Sequence, residues 1–244
     1  MTAVPLLCVP FAGAGASVFF EWTRRPLAAT RVVAVDMPGK DKRFDEPPFT
    51  DVVQAGRELA AEVPALVGPD LADVAEVAVF GHSLGAVIGY ELAHRLADAG
   101  QVRVRHLFVS GSPGPFTQRE LRATGLSDDE FLARVTQIAG YEHPALADPD
   151  GRELLLPILR EDVEMHERYR PSTAAPLPVP ITAIRGADDE LVSADAAAQW
   201  AAFTSAGFRL AQPAGGHMYL AGSGLDELLD LVDRTLALHH AGGR

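Results

Sequence analysis

A serine hydroxyl is a poor nucleophile unless it is held exposed beside a base. Ser83 sits in a setting that could hold it so, the turn Gly81-His82-Ser83-Leu84-Gly85. Glycines at 81 and 85 leave room for a tight backbone and for close approach of a helix to a strand. Two further groups could complete the chemistry. Gly215-Gly216-His217 offers an imidazole, and Gly186-Ala187-Asp188-Asp189 offers a carboxylate. His217 would take the proton of Ser83 and return it to a leaving group, while a carboxylate fixes the tautomer of the ring and stabilises its charged form. The chemistry would be acyl transfer through a serine ester.

These groups need elements to position them. The apolar run Val77-Ala78-Val79-Phe80 precedes the turn, and Leu84, Val87, Ile88, Leu92 and Leu96 follow at helical spacing up to Gly100. That is the strand, sharp turn and helix of a nucleophile elbow, and the helix N-terminus would aim N–H groups at a developing oxyanion. Ile181-Thr182-Ala183-Ile184 precedes the two aspartates, and Phe208-Arg209-Leu210 precedes His217. If these runs are parallel strands, all three groups meet at one sheet edge. The order Ser, acid, His is that of an α/β-hydrolase.

Among the eight histidines, His239 and His240 lie in the tail, and His94, His106, His143 and His166 do not directly follow a strand. His82 could line the site, but its place next to Ser83 points it elsewhere. Of Asp188 and Asp189, one orients the base and the other caps a loop or helix; the residues alone leave the choice open. The fourth strand ends in Ser110-Gly111-Ser112 and offers no carboxylate in their place. The oxyanion hole should combine the N–H of Leu84 with one near Phe11 or Ala12, in the small-residue loop that follows the first strand.

The remaining elements read as follows. Leu6 to Val9 and Val32 to Val35 are apolar runs expected as strands buried on both faces, with a short helix around Trp22 between them. Thr50 is the expected cap of a helix over Val52 to Val67, with Pro64 disturbing its last turns. Leu107 to Ser110 is a fourth strand, and Leu225 to Leu238 a closing helix. From 116 to 170 the pattern is all helical, with Ser127 and Glu130 as a capping box and Asp150 with Glu153 repeating that signal. Such an insertion between two strands is expected to form a lid over the strand ends; the alternative is helical packing without gating. The fold class is therefore α/β, a mostly parallel sheet of about six strands covered on both faces, in one domain over 1–244 with 116–170 as the lid insertion.

Composition narrows the partners. A net charge of -12 argues against nucleic acid or an anionic membrane, and 48% hydrophobic residues suffice for a sizeable core. Cys8 is the single cysteine, so no internal disulfide forms. No leader or membrane-spanning stretch is recognisable, and a cytoplasmic protein without metal or cofactor is expected.

The chain resembles the type II thioesterases of polyketide and nonribosomal peptide assembly lines. The likeness rests on Val9-Pro10-Phe11-Ala12-Gly13, Trp22, Met37-Pro38-Gly39, the elbow, Tyr90-Glu91-Leu92, Leu156-Pro157-Ile158-Leu159-Arg160-Glu161-Asp162, Tyr169, Gly186 to Asp189, and Gly215 to His217. It implies removal of acyl groups from the phosphopantetheine arm of an acyl or peptidyl carrier protein. Carried over by position, it implies Ser83 as nucleophile, Asp189 as acid, His217 as base, and Ala12 with Leu84 as backbone oxyanion donors. The chain departs from the family where Phe11 stands for Tyr or His, Leu84 for Met, and Lys40-Asp41-Lys42-Arg43 for Arg-Glu-x-Arg. Acyl transfer through the same acyl-serine, or binding without catalysis on this scaffold, are the alternative functions.

Overall fold

The structure, a computed structural model, describes residues 3–68, 76–117, 122–139 and 144–241. Six strands form one sheet in the order β2-β1-β3-β4-β5-β6. They are β1 (Val4–Val9), β2 (Thr30–Ala34), β3 (Glu76–His82), β4 (Arg103–Ser110), β5 (Ile181–Ile184) and β6 (Phe208–Ala211). Every pairing is parallel, so all six strands end at the same edge.

Alternation along the strands divides the core in two, because successive side chains leave opposite faces of a strand. Leu7, Val9, Val77, Val79, Leu107 and Val109 pack under helices α2 (Val52–Val67) and α3 (Leu84–Ala99). Leu6, Cys8, Ala78, Phe80 and Phe108 pack on the other face against Phe19, Trp22 and the helix Leu225–Ala241. Burial pushes the Cys8 thiol well above its ordinary range, which makes it an inert core residue.

Several expectations change in detail. β2 is an edge strand, half-buried rather than buried on both faces, because only β1 pairs with it. β4 starts at Arg103, four residues before its apolar run begins. Its first residues carry Arg103 and Arg105, whose charges hide the strand from a hydropathy pattern and which share the Glu76 carboxylate on neighbouring β3. The cap of α2 is Asp51, whose carboxylate accepts the N–H of Gln54, and not Thr50. Pro64 lies inside α2 without ending it.

The segment between β4 and β5 carries α4 (Asp128–Ala139) and α5 (Pro149–Arg168). Ser127 and Glu130 do form a capping pair, the Glu130 carboxylate accepting both the N–H and the hydroxyl of Ser127. The cap of α5 is Asp148 rather than Asp150, with Pro149 in the first turn, where a missing N–H costs nothing. Residues 118–121 and 140–143, His143 among them, lie outside the described residues. Arg160 joins the two helices: its guanidinium lies 4.2 Å from the Phe131 ring centroid and donates to Leu126 O and Asp128.

The far end of α5 is tied to the core by Glu91, a fully buried carboxylate of α3. It accepts from the Tyr169 hydroxyl at 2.8 Å and from the N–H and hydroxyl of Ser172 at 3.0 and 2.5 Å. Burial first, then the Glu91 charge, push the Tyr169 phenol upward, so it remains a donor. Glu91→Ala leaves the buried Tyr169 hydroxyl without its acceptor and frees the exposed Ser172 to water, and is expected to destabilise the protein by about 1–3 kcal/mol. The urea midpoint at unchanged slope measures that loss.

Candidate active site

The elbow forms because β3 runs straight into α3 with Ser83 as the only intervening residue. Ser83 has φ 53° and ψ −114°, a conformation that costs a non-glycine residue of order 1–3 kcal/mol and persists because its surroundings enforce it. The turn is that tight because the backbones touch. A Cβ on Gly81 would lie 1.9 Å from Gly85 O, and one on Gly85 would lie 2.3 Å from Val9 O. The Ser83 N–H donates to Ser110 O at 2.8 Å, which ties the turn to β4.

The loops after β5 and β6 bring Asp189 and His217 together. His217 Nδ1 stands 2.9 Å from Asp189 Oδ2, both side chains buried. The other carboxylate oxygen of Asp189 accepts the N–H of Leu191 at 2.8 Å and of Val192 at 3.0 Å. Burial on its own would raise the Asp189 pKa. The hydrogen bond and charge of His217, with the two backbone donors, outweigh it and hold the carboxyl below the usual aspartate value. Asp188, in contrast, is exposed.

Two residues that support this pair escaped the sequence reading. Arg185, buried directly after β5, donates to Asp189 O, Val192 O and Gln212 Oε1, each at 2.7 Å. It shapes the loop that presents the acid; a cation at the end of an apolar strand was the signal. Gly111, at the end of β4, has φ +56°, and a Cβ there would lie 2.4 Å from His82 Cε1 and 2.9 Å from His217 Cε1. Any side chain would displace the imidazole.

His82 sits behind the site and does not line the cleft. Its ring centroid is 4.9 Å from that of His217, and its Nδ1 is 2.8 Å from Ser110 Oγ, which in turn lies 2.6 Å from the Tyr219 hydroxyl. This buried relay backs the His217 ring, so His82 bears on the site from beneath.

A cleft opens over Ser83 and His217. Phe11 and Ala12 form one wall, Val135 and Ile138 of α4 with Leu159 and Val163 of α5 another, and His166, Glu167 and Tyr169 also line it. Ala12 is thus at the cleft, and Leu84 opens α3, where the first N–H groups have no partner within the helix. The walls beside the serine are apolar, as an acyl chain requires. No helix of the described residues is long and apolar enough to cross a membrane.

A parallel sheet with helices on both faces, carrying a strained serine, a carboxylate and an imidazole in that chain order at its strand ends, is an α/β-hydrolase. Residues 4–236 match the thioesterase domain family, and the chain belongs to that family. It is a hydrolase of thioesters. Its relatives include Thioesterase PikA5 of Streptomyces venezuelae, 33% identical over 98% of this chain and 84% of that protein. Another is the gramicidin S biosynthesis protein GrsT of Aneurinibacillus migulanus, 30% identical over 96% of this chain and 89% of that protein. Among solved structures, the type II thioesterase BorB from the borrelidin biosynthetic cluster superposes with a TM-score of 0.82 at 31% identity, covering 96% of this chain and 93% of BorB. The likeness to type II thioesterases expected from the motifs is borne out.

Proposed function

We propose that this chain hydrolyses acyl thioesters held on the phosphopantetheine arm of an acyl or peptidyl carrier protein, with Ser83, His217 and Asp189 as its catalytic residues. The observation that carries the reading is the His217–Asp189 bond of 2.9 Å in a mostly apolar cleft also lined by Ser83. Ser83 Oγ attacks the thioester carbonyl as His217 takes its proton. The tetrahedral oxyanion is held by the N–H groups of Leu84 and Ala12. Collapse expels the thiolate, which takes the proton from His217, and leaves acyl-Ser83. Water then attacks the ester, with His217 again as base, and releases the acid.

The segment 116–170 acts as a lid within one hydrolase domain over 1–244, its helices forming the cleft wall that faces the acyl chain. The assembly-line relatives support a carrier-bound substrate, whose remote contacts would raise turnover of the correct substrate. The test presents one acyl group on a carrier protein and on a small thiol. The carrier-bound form is expected to be cleaved with a kcat/KM at least about tenfold higher. Equal values would refute carrier recognition and leave a general thioesterase.

A further inference from the structure

The Leu-Pro-x-Leu-Arg-x-Asp stretch of α5 identifies the family in sequence, yet the reaction described so far gives its aspartate no task. Asp162 is buried, and its Oδ2 accepts the Gly13 N–H at 2.7 Å and pairs with Lys40 Nζ at 2.5 Å, Lys40 being buried as well. Gly13 is the residue after Ala12 and takes φ +76°. Leu159, one turn earlier on α5, closes over it: a Cβ on Gly13 would lie 2.8 Å from Leu159 Cδ1. The far end of the same loop is held by Asp41, which accepts the N–H of Ser17 at 2.9 Å and its hydroxyl at 3.1 Å. Phe11 O accepts the Ala14 N–H at 3.0 Å between these anchors.

We propose that Asp162 is a positioning residue for the oxyanion hole, fixing the Phe11-Ala12-Gly13 backbone so that the Ala12 N–H meets the tetrahedral oxyanion, with Lys40 neutralising the charge that does so. The inference rests on the reading of Ala12 as an oxyanion donor. A hydrogen-bond acceptor alone could set the loop. An unpaired buried carboxylate so near a developing negative charge would oppose it, and the Lys40 ammonium removes that opposition. Leu159 and Asp162, three residues apart, reach Gly13 from one face of α5. The lid helix therefore sets the catalytic backbone as well as walling the cleft.

The experiment compares two double variants, since removing one partner of a buried pair would strand the other. K40M with D162A has neither acceptor nor buried charge; K40M with D162N keeps an amide oxygen for the Gly13 N–H. Turnover of a small acyl thioester, affinity for a trifluoromethyl ketone that forms a tetrahedral adduct on the serine, and affinity for a non-cleavable thioether analogue are measured for each. The D162A double variant is expected to lose roughly 10²-fold in kcat, the scale of an angstrom-sized misplacement, at nearly unchanged KM. Its ketone affinity falls in parallel and its thioether affinity holds. The D162N double variant recovers most of both losses. Wild-type kcat and ketone affinity in a folded D162A double variant would overturn the proposal, as would equal weakening of ketone and thioether binding. Turnover surviving in Ser83→Ala would instead remove the underlying reading; an inactive Ser83→Ala beside fully active clamp variants removes this proposal alone.

Discussion

Ser83→Ala is expected to lower kcat by roughly 10⁶-fold while leaving the fold intact. Alanine deletes the hydroxyl and keeps the tie of the turn to β4, which is made by the Ser83 backbone N–H. The residue at 83 stays at φ 53°, because the close approach of Gly81 to Gly85 and of Gly85 to β1 enforces that conformation. Residual turnover would come from water attacking a thioester still held against the proposed Leu84 and Ala12 donors, and such residual catalysis stands about 10³–10⁴-fold above solution. Steady-state cleavage of a small acyl thioester measures the loss, and a fluorophosphonate probe should label the wild-type serine and not the variant. A variant turning over within tenfold of wild type would mean that another group performs the chemistry.

Asp189→Asn is expected to cost roughly 10⁴-fold in kcat. The size of that effect follows from the surroundings of the carboxylate. One oxygen accepts two backbone N–H groups, from Leu191 and Val192, so an asparagine must place its carbonyl there. Its amide nitrogen then faces His217 Nδ1, where the carboxylate oxygen stands at 2.9 Å. A donor in that position makes Nδ1 the acceptor and moves the ring proton to Nε2, so the imidazole offers Ser83 a proton instead of taking one. Stability should change with pH in a defined sense. The Asp189 carboxyl is held below the unfolded value of about 3.9, so its contribution is fully present above that value and is lost as pH falls through the lower folded value. Kinetics of the variant beside acid titrations of both proteins check the two statements.

The parts of this molecule legible in its sequence are those that repeat a local physical rule. β5 shows as an apolar run with the observed ends, Ile181–Ile184, and Ser127 with Glu130 forms the capping pair its spacing announces. The placement of Ser83, Asp189 and His217 after β3, β5 and β6 was legible because each follows an apolar run or its loop. Features that depend on a distant partner were not. Arg103 and Arg105 look like loop residues until Glu76 of another strand pairs with both. Asp188 and Asp189 are alike as neighbours, and only the fold turns one toward His217 and the other to solvent. Gly111 seemed merely to lack a carboxylate, whereas its bareness makes room for two imidazoles. The small-residue loop after β1 could have been slack; two carboxylates, from Asp162 and Asp41, hold it.

The strand order also governs how the enzyme wears out. β3, which leads to Ser83, has hydrogen-bonded neighbours on both sides, whereas β6, which leads to His217, is paired on one side only. Proteins open locally at free energies below that of global unfolding, and a strand paired on one side has fewer contacts to lose than one paired on both. On warming, β6 and the loop that carries His217 are expected to open before β3 and Ser83 do. Activity is then expected to fall reversibly below the temperature at which the fold melts, so that the margin of the sheet and not its middle sets the working life of this catalyst.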